Sequence, residues 1–361
     1  MRRRSILKLG LMTGAVASGL VGCDWMRQQG GGAETIKIAS ILTLTGPAGQ
    51  IGQELLNGQK LAVEYWNTKP GAKVELVAED SKNLPKDGLS AFQSLKARGF
   101  KLFTTNGSGV SMAIKPEIKP EESLLLAMAA HPGLTSPIQP GVFRYSNTAT
   151  EEAKTLVEWI QKSGLKHPVV VFHSADDYGA AFAKALQDSL KPLNLLVLVK
   201  DYRKEDVPQM KSLVQATLPK EFFLPVVVGV GQPMAQAIVA LRTLEYKGPI
   251  LTNVGYALTG VAQQLGAQAG KIVFLTLDVT KTADFSWAER EYKKKFSKDI
   301  SPDATIGFNS VSMIVSAVRN LKTDDSTKLN VGFSNQVQQY FGFQESLVNS
   351  EVPTKVKANE T

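Results

Sequence analysis

One cysteine, Cys23, and three histidines, His131, His167 and His173, stand among 361 residues. A lone cysteine closes no disulfide within the chain, and once its sulfur is committed elsewhere neither a cysteine nucleophile nor a thiolate metal site remains. No histidine has a second one three to five residues away, so zinc-type ligand spacing is missing. No metal and no cofactor are expected. The chain also lacks a Gly-x-Ser-x-Gly elbow and a phosphate loop ending in Gly-Lys-Ser/Thr. No base–nucleophile pair is visible, so no catalytic residue is assigned and an enzyme is not expected. Beyond the N-terminus no apolar run is long enough to cross a bilayer.

What is present begins at the N-terminus. Arg2, Arg3, Arg4 and Lys8 form a basic stretch without an acid, and Ile6 to Leu20 is mostly apolar or small. This is the pattern of a secretion signal. It ends in Leu20-Val21-Gly22-Cys23, which resembles the lipobox of bacterial lipoproteins, where the cysteine is lipidated and becomes the new N-terminus. The expected location is therefore extracytoplasmic, in the periplasm or at the cell surface, with a lipid anchor to the membrane at Cys23. A membrane-spanning helix is the competing reading, but the apolar stretch is about 15 residues where a span needs roughly 20. Arg3-Arg4-Ser5-Ile6-Leu7-Lys8 also resembles a twin-arginine export signal, which leaves the export route open. Loss of residues 1–23 takes Lys plus Arg from 41 to 37 against 33 Asp plus Glu, a net charge of +4 instead of +8. That is no footprint for nucleic acid. The one basic triplet of the body, Lys293-Lys294-Lys295, reads as a solvated helix face.

Residues 24–35 carry Gln28-Gln29-Gly30-Gly31-Gly32 and read as a flexible tether. From Ile36 onward strand and helix signals alternate. Strands are expected at 36–42, 73–78, 101–104, 124–128, 168–172, 195–199, 224–230, 250–252 and 272–277. Helices are expected at 53–67, 84–98, 151–162, 179–190, 207–218, 234–244, 287–296 and 305–321, with a shorter one ending at Ile114; Thr150 is the expected N-cap of the helix at 151. Alternating βα units imply parallel sheets with helices on both faces. One sheet of this many strands would be unusual, so the fold class expected is α/β, two doubly wound lobes. No short-period repeat is visible.

In open α/β sheets ligands bind at the carboxyl ends of strands, and four such loops stand out. Asn106-Gly107-Ser108-Gly109 offers glycine flexibility, free N–H groups and a hydroxyl suited to an anion, or is a plain capped turn. Ala129-Ala130-His131-Pro132 follows a buried strand; His131 either faces a ligand or points to water. Asp176-Asp177-Tyr178-Gly179 places a tyrosine to close over a ligand, or is an acidic cap with a packing ring. Gly229-Val230-Gly231-Gln232-Pro233-Met234 has Met234 where a dinucleotide loop needs its third glycine, so nucleotide binding is not expected there.

Ile36-Lys37-Ile38-Ala39 leading into Leu44-Thr45-Gly46-Pro47, then Gly52 and Asn57-Gly58, is similar to the opening of the Leu/Ile/Val-binding protein family. The likeness continues through Asn106-Gly107-Ser108, the run from Ala129 to Thr135, Phe143-Arg144, Asp177-Tyr178-Gly179 and the run from Ala304 to Asn309. These are the type I periplasmic solute-binding proteins of ABC importers for branched-chain amino acids, amides and small acids. The resemblance implies one lobe from 36–146 plus 278–325 and another from 147–277, joined by hinge strands near 144–148 and 274–280. It leaves the lobe of 326–361 open, and the family's usual Gly-rich closing strands are not found within 331–361. It implies that Ser108, beside Gly107, donates to a ligand carboxylate and that the backbone at Ala129 and Ala130 meets an ammonium. It further implies that His131 stands where threonine is usual, that Tyr178 reaches the ligand from the second lobe, and that Ile51 lines a side-chain pocket. Its partners would be a small-molecule ligand and ABC permease subunits, with the protein acting as a monomer. The same closure would serve a ligand-sensing subunit of a signalling system.

Two departures bear on the ligand. Gly231 replaces a tyrosine common in amino-acid binders, and Val254 falls where an acid usually pairs with the ammonium. An unpaired buried ammonium costs several kcal/mol. Asp278, Asp177 and Glu54 are the candidate replacements; a carboxylate without an α-amino group, or an amide, is the other solution.

Overall fold

The computed structural model describes residues 35–279 and 285–323, with Asp325, Lys328, Leu329, Phe333 and the backbone of 355–360. The export signal, Cys23 and the tether lie outside the described residues.

The first half runs β1 (Thr35–Leu42), α1 (Gly49–Asn67), β2 (Lys73–Asp80), α2 (Pro85–Ala97), β3 (Leu102–Asn106), α3 (Ser108–Ile114), β4 (Leu124–Met128) and β5 (Val142–Arg144). Its strands form a parallel sheet in the order β2-β1-β3-β4-β5. The second half runs α4 (Ala149–Ser163), β6 (Val169–Ser174), α5 (Asp177–Leu190), β7 (Val197–Tyr202), α6 (Met210–Thr217), β8 (Leu224–Val228), α7 (Gly231–Thr243), β9 (Ile250–Thr252), α8 (Gly255–Leu258), α9 (Val261–Leu265) and β10 (Ile272–Asp278). These strands pair in parallel in the order β7-β6-β8-β9-β10. Then follow α10 (Phe285–Phe296), α11 (Pro302–Leu321) and β11 (Lys355–Glu360). The protein is a two-domain α/β structure, each domain built on a parallel sheet.

Both sheets are covered on both faces, which is why their strands read as unbroken apolar runs. Successive side chains of a strand go to opposite faces. Ile38, Leu124 and Leu126 join a core with α1 and α11, while Ala39, Leu125 and Ala127 join another with α2 and α3. In the second sheet Val170 and Phe172 pack with α7, and Val169 and Val171 with α4 and α5.

Three differences from the sequence reading matter. α4 is capped by Thr148, not Thr150. The Thr148 side chain accepts from Glu151 N–H at 3.0 Å, and Glu151 accepts from Thr148 N–H at 2.6 Å. This reciprocal box fixes the helix start one residue after Thr148. The two hinge passages expected become three. The chain leaves the first sheet through Tyr145–Thr148 into α4, returns after Asp278 to α10 and α11, and goes back once more. Phe333 packs on Phe143 of the first sheet with ring centroids 4.8 Å apart, while β11 pairs antiparallel with β10 of the second. A closing strand therefore exists within 331–361, where none was expected; Lys355-Val356-Lys357 carries too little apolar character to announce one.

α1 and α11 approach at backbone distance. A Cβ on Gly58 would lie 1.8 Å from the Ala304 carbonyl oxygen, and one on Gly307 2.1 Å from the Leu55 carbonyl oxygen. Glycine at both positions lets the helices meet, and this contact sets where Ile51, Leu55, Asp303 and Ile306 face.

Candidate ligand-binding site

The loops that leave nine of the ten parallel strands, with Leu277 of β10 itself, line one cavity of about 590 Å³. Its volume is that of a small-molecule pocket. From the first sheet come Thr43 after β1, Asn106 to Gly109 after β3, Ala129 and Ala130 after β4, and Tyr145 to Asn147 after β5. From the second come Ser174 to Tyr178 after β6, Gly229 and Val230 after β8, Asn253 to Gly255 after β9, and Leu277 of β10.

An asparagine staples the strand ends on each side. Asn106 Oδ1 accepts from Thr43 N–H at 2.7 Å, and Asn253 Oδ1 accepts from Gly229 N–H at 3.0 Å. Elsewhere on the first wall Ser108, only 5% exposed, and Ala129 lie at the cavity with half-buried Ile51 and Ala130, together with Asp303 of α11 and the exposed Lys82. The second wall holds a hydrogen-bonded chain. Tyr178 Oη donates to Glu152 Oε2 at 2.6 Å and accepts from Asn253 Nδ2 at 3.0 Å, while Asn147 Nδ2 donates to Glu152 Oε1 at 2.7 Å. Burial pushes the Glu152 carboxyl up to about 7, although Tyr178, Asn147 and the Val254 backbone N–H stabilise its charge. Burial first, and then the neighbouring Glu152, push the Tyr178 phenol well above its ordinary value, so it stays protonated and donates.

The walls also touch. A Cβ on Gly231, where φ is +58, would stand 2.6 Å from the Pro47 carbonyl oxygen of the first domain. A Cβ on Gly109 would stand 2.8 Å from Asp177 Oδ2 of the second. Gly231 thus has a positional reason: a side chain there meets the opposite backbone.

Of the residues singled out from sequence, Ile51, Gly107, Ser108, Ala129, Ala130 and Tyr178 line this cavity together. His131 does not line it. Its Nδ1 accepts from Gly133 N–H at 3.0 Å, its carbonyl accepts from Arg144 at 3.3 Å, and burial holds its pKa below the ordinary value despite the pull of Asp177. Among the three acids considered, Asp177 reaches the cavity rim. Glu54 lies off the cavity; it accepts from Lys298 Nζ at 2.8 Å, from Ser301 Oγ at 2.6 Å and from the Tyr292 hydroxyl, tying α1 to α10 and α11. The Asp278 side chain lies outside the described residues.

Two acids that sequence reasoning passed over do line the cavity: Glu152 and Asp303, 1% and 4% exposed. A signal for Glu152 existed. The buried face of α4 is Ala149, Glu152, Ala153, Leu156, Val157 and Ile160, so a carboxylate occupies an apolar stripe. Asp303 sits beside Pro302 in the first turn of α11, where an acid reads simply as a partner of the helix dipole.

The sequence matches the family described as periplasmic binding protein over residues 35–340, and the chain belongs to that family. It is 26% identical over 227 residues to the Leu/Ile/Val-binding protein of Escherichia coli (strain K12), covering 60% of this chain and 62% of that protein. The match thus spans less than two thirds of that relative's length. It is 25% identical over 256 residues to the leucine-specific-binding protein of Salmonella typhimurium (strain LT2), covering 68% of each. The fold matches the branched-chain amino acid transporter substrate-binding protein of Streptococcus pneumoniae solved with isoleucine, with a TM-score of 0.74 at 19% identity over 91% of this chain and 100% of that one. It also matches a fatty acid ABC transporter substrate-binding protein from Thermomonospora curvata, with a TM-score of 0.76 at 17% identity over 89% and 87% of the two chains. Members of this family are binding proteins of the type I periplasmic fold, not enzymes, and membership of the family implies an extracytoplasmic location. Among the described residues no helix is long and apolar enough to cross a membrane.

Proposed function

We propose that this protein is the extracytoplasmic receptor of an ABC importer for an amino acid or a related small carboxylate or amide. The observation that carries this is the cavity itself: about 590 Å³, with walls drawn from the strand ends of two separate sheets. A ligand filling it bridges the domains and stabilises the closed arrangement, the hinge motion for which periplasmic binding proteins are a standing example. Closure is favoured only by the ligand's difference in affinity between open and closed forms. We take 36–146 with 278–325 as the first moving body and 147–277 as the second. Ser108, beside Gly107, is the donor to the ligand carboxylate; the backbone at Ala129 and Ala130 and the ring of Tyr178 position the guest, and Ile51 lines the side-chain end. The closed form is what the membrane permease recognises, with the receptor held near it by lipid on Cys23.

A thermal-shift screen of amino acids, amides and small organic acids, followed by X-ray scattering, tests the reading. A true ligand raises the melting temperature by mass action and shrinks the radius of gyration. No shift from any compound, with unchanged scattering, removes the receptor assignment. In cells, Cys23→Ser is expected to move the protein from the membrane fraction to the soluble one; retention in the membrane fraction would remove the lipid anchor.

A further inference from the structure

The cavity lies at the carboxyl ends of the strands; the opposite end of the first domain carries a charge pattern that ligand binding does not use. Thr35, where β1 begins, pairs with Lys73, and Lys101 immediately precedes β3, which flanks β1 on its other side. The end of α11 is tied to the same place. Arg319 donates to the carbonyls of Trp66 at 3.0 Å, Pro70 at 2.9 Å and Ala72 at 2.7 Å. The segments gathered around the first residues of β1 are therefore 68–73, 98–101 and 319–322. They hold Lys69, Lys73, Arg98, Lys101, Arg319 and Lys322, and no acid. All but half-buried Arg319 are exposed. Of these cations, among the described residues, only Arg98 has a carboxylate within ion-pair distance, Glu79 at 3.7 Å. The Lys293-Lys294-Lys295 triplet differs: its lysines face Asp299 at 3.0 Å, Glu291 at 3.6 Å and Glu64.

Resting on the lipid-anchor reading, we propose that this basic end of the first domain is a docking surface for anionic lipid headgroups. The anchor selects the occupant. Thr35 comes twelve residues after Cys23, a stretch that reaches about 40 Å at most, and it enters the fold inside the basic cluster. Lipid on Cys23 thus brings this end of the molecule to the bilayer first. The intervening Asp24, Arg27 and Glu34 do not reverse the sign of the cluster. A negative bilayer surface favours each nearby lysine by about fivefold in partitioning, over a range of about 10 Å at ordinary salt. Four such factors are weaker than one acyl chain, so the surface orients a tethered protein and does not hold an untethered one. In the docked pose the strand N-termini of the first domain rest on the membrane. The cavity and the second domain then face the solution, from which solute is captured.

Co-sedimentation at millimolar lipid tests this with the processed chain from residue 23 carrying Cys23→Ser, which has no lipid of its own. Vesicles of phosphatidylglycerol and phosphatidylcholine in equal parts are compared with phosphatidylcholine alone. Binding is expected to the anionic vesicles only, and is expected to vanish at about 1 M salt, where the screening length is about 3 Å. Lys69→Gln, Lys73→Gln, Lys101→Gln and Lys322→Gln are each expected to weaken it about fivefold, and the four together to abolish it. Lys293→Gln with Lys294→Gln and Lys295→Gln is expected to leave it unchanged; circular dichroism checks that every variant is folded. Equal binding to neutral vesicles, no binding to anionic ones, or loss in the triplet variant with none in the four-lysine variant overturns the proposal. A native protein that Cys23→Ser releases from cell membranes, but whose processed chain ignores anionic vesicles, loses the docking surface and keeps the anchor. Retention of Cys23→Ser in the cell membrane fraction, reversed by the four lysine changes, removes the anchor and keeps the docking surface.

Discussion

The two domains share one strand order and differ in what their strand ends carry. In each, the second strand pairs outside the first, and the third, fourth and fifth follow on the other side. Each uses an asparagine to hold a neighbouring strand end in place. Yet the first domain meets the cavity with groups that among the described residues have no hydrogen-bond partner or are small and neutral, the Asp303 carboxyl, Ser108 and Ala129, while the second meets it with a pre-paired chain of Glu152, Tyr178 and Asn253. The repeated fold thus supplies geometry, and the chemistry of recognition is added separately to each half. One wall is left open for a ligand to complete; the other arrives already organised.

That contrast can be broken most severely through the scaffold. Gly307→Leu drives a side chain into the α1 backbone, where a Cβ alone would already sit 2.1 Å from the Leu55 carbonyl oxygen. Overpacking of this kind costs about 3 kcal/mol, and it should appear as a lowered urea midpoint together with lost binding, because Ile51, Leu55 and Asp303 lose their placement. The walls themselves should respond unequally. Tyr178→Phe removes a donor from buried Glu152 and the acceptor of Asn253, so it should lower both affinity and melting temperature, by about 1–3 kcal/mol in stability. Ser108→Ala removes a hydroxyl that has no partner among the described residues, so it should weaken ligand binding several-fold and leave the unliganded melting temperature within about a degree. Equal stability losses in the two variants would erase the distinction between an open and an organised wall.

The gentlest probe is pH. Burial raises Glu152 to about 7 from its ordinary 4.5, and burial with the nearby Glu54 raises Asp303 to about 8 from 3.8. Both acids are favoured neutral in the fold. Their stabilising contribution is complete below pH 4 and is lost as pH rises through 7 and 8. The unliganded protein should therefore melt lower at pH 8 than at pH 5.5, against the background of Glu151 beside Glu152 and Glu54 beside Asp303. Asp303→Asn should flatten the trend. A melting temperature that climbs over this interval in the wild type, or a slope unchanged in Asp303→Asn, would contradict the assignment.

Much of the fold was legible because parallel strands buried on both faces are nearly all apolar. Leu124–Met128 reads from sequence with its observed ends, and Ile250–Thr252 likewise. The three-residue β5 and the short α8 and α9 left no periodic signal. β11 was invisible because its charged residues carry no apolar face; only its partner β10 makes it a strand. At the site, loops after strands pointed to Ser108, Ala129 and Tyr178, residues that share one cavity. His131 shares the same loop as Ala129 but spends its ring on its own turn. Glu152 and Asp303 were passed over because an acid in a first helical turn is ordinarily explained by the helix dipole, and only tertiary packing reveals which such acids are buried.

β11 has one further consequence. It lies along the outer edge of β10, whose Val273-Phe274-Leu275 run would otherwise present unpaired N–H and C=O groups. Bare apolar edges recruit strands from other molecules. The charged terminal strand is thus a guard against self-association, and a chain cut short of Lys355 is expected to form oligomers that the full-length protein does not, as light scattering would register.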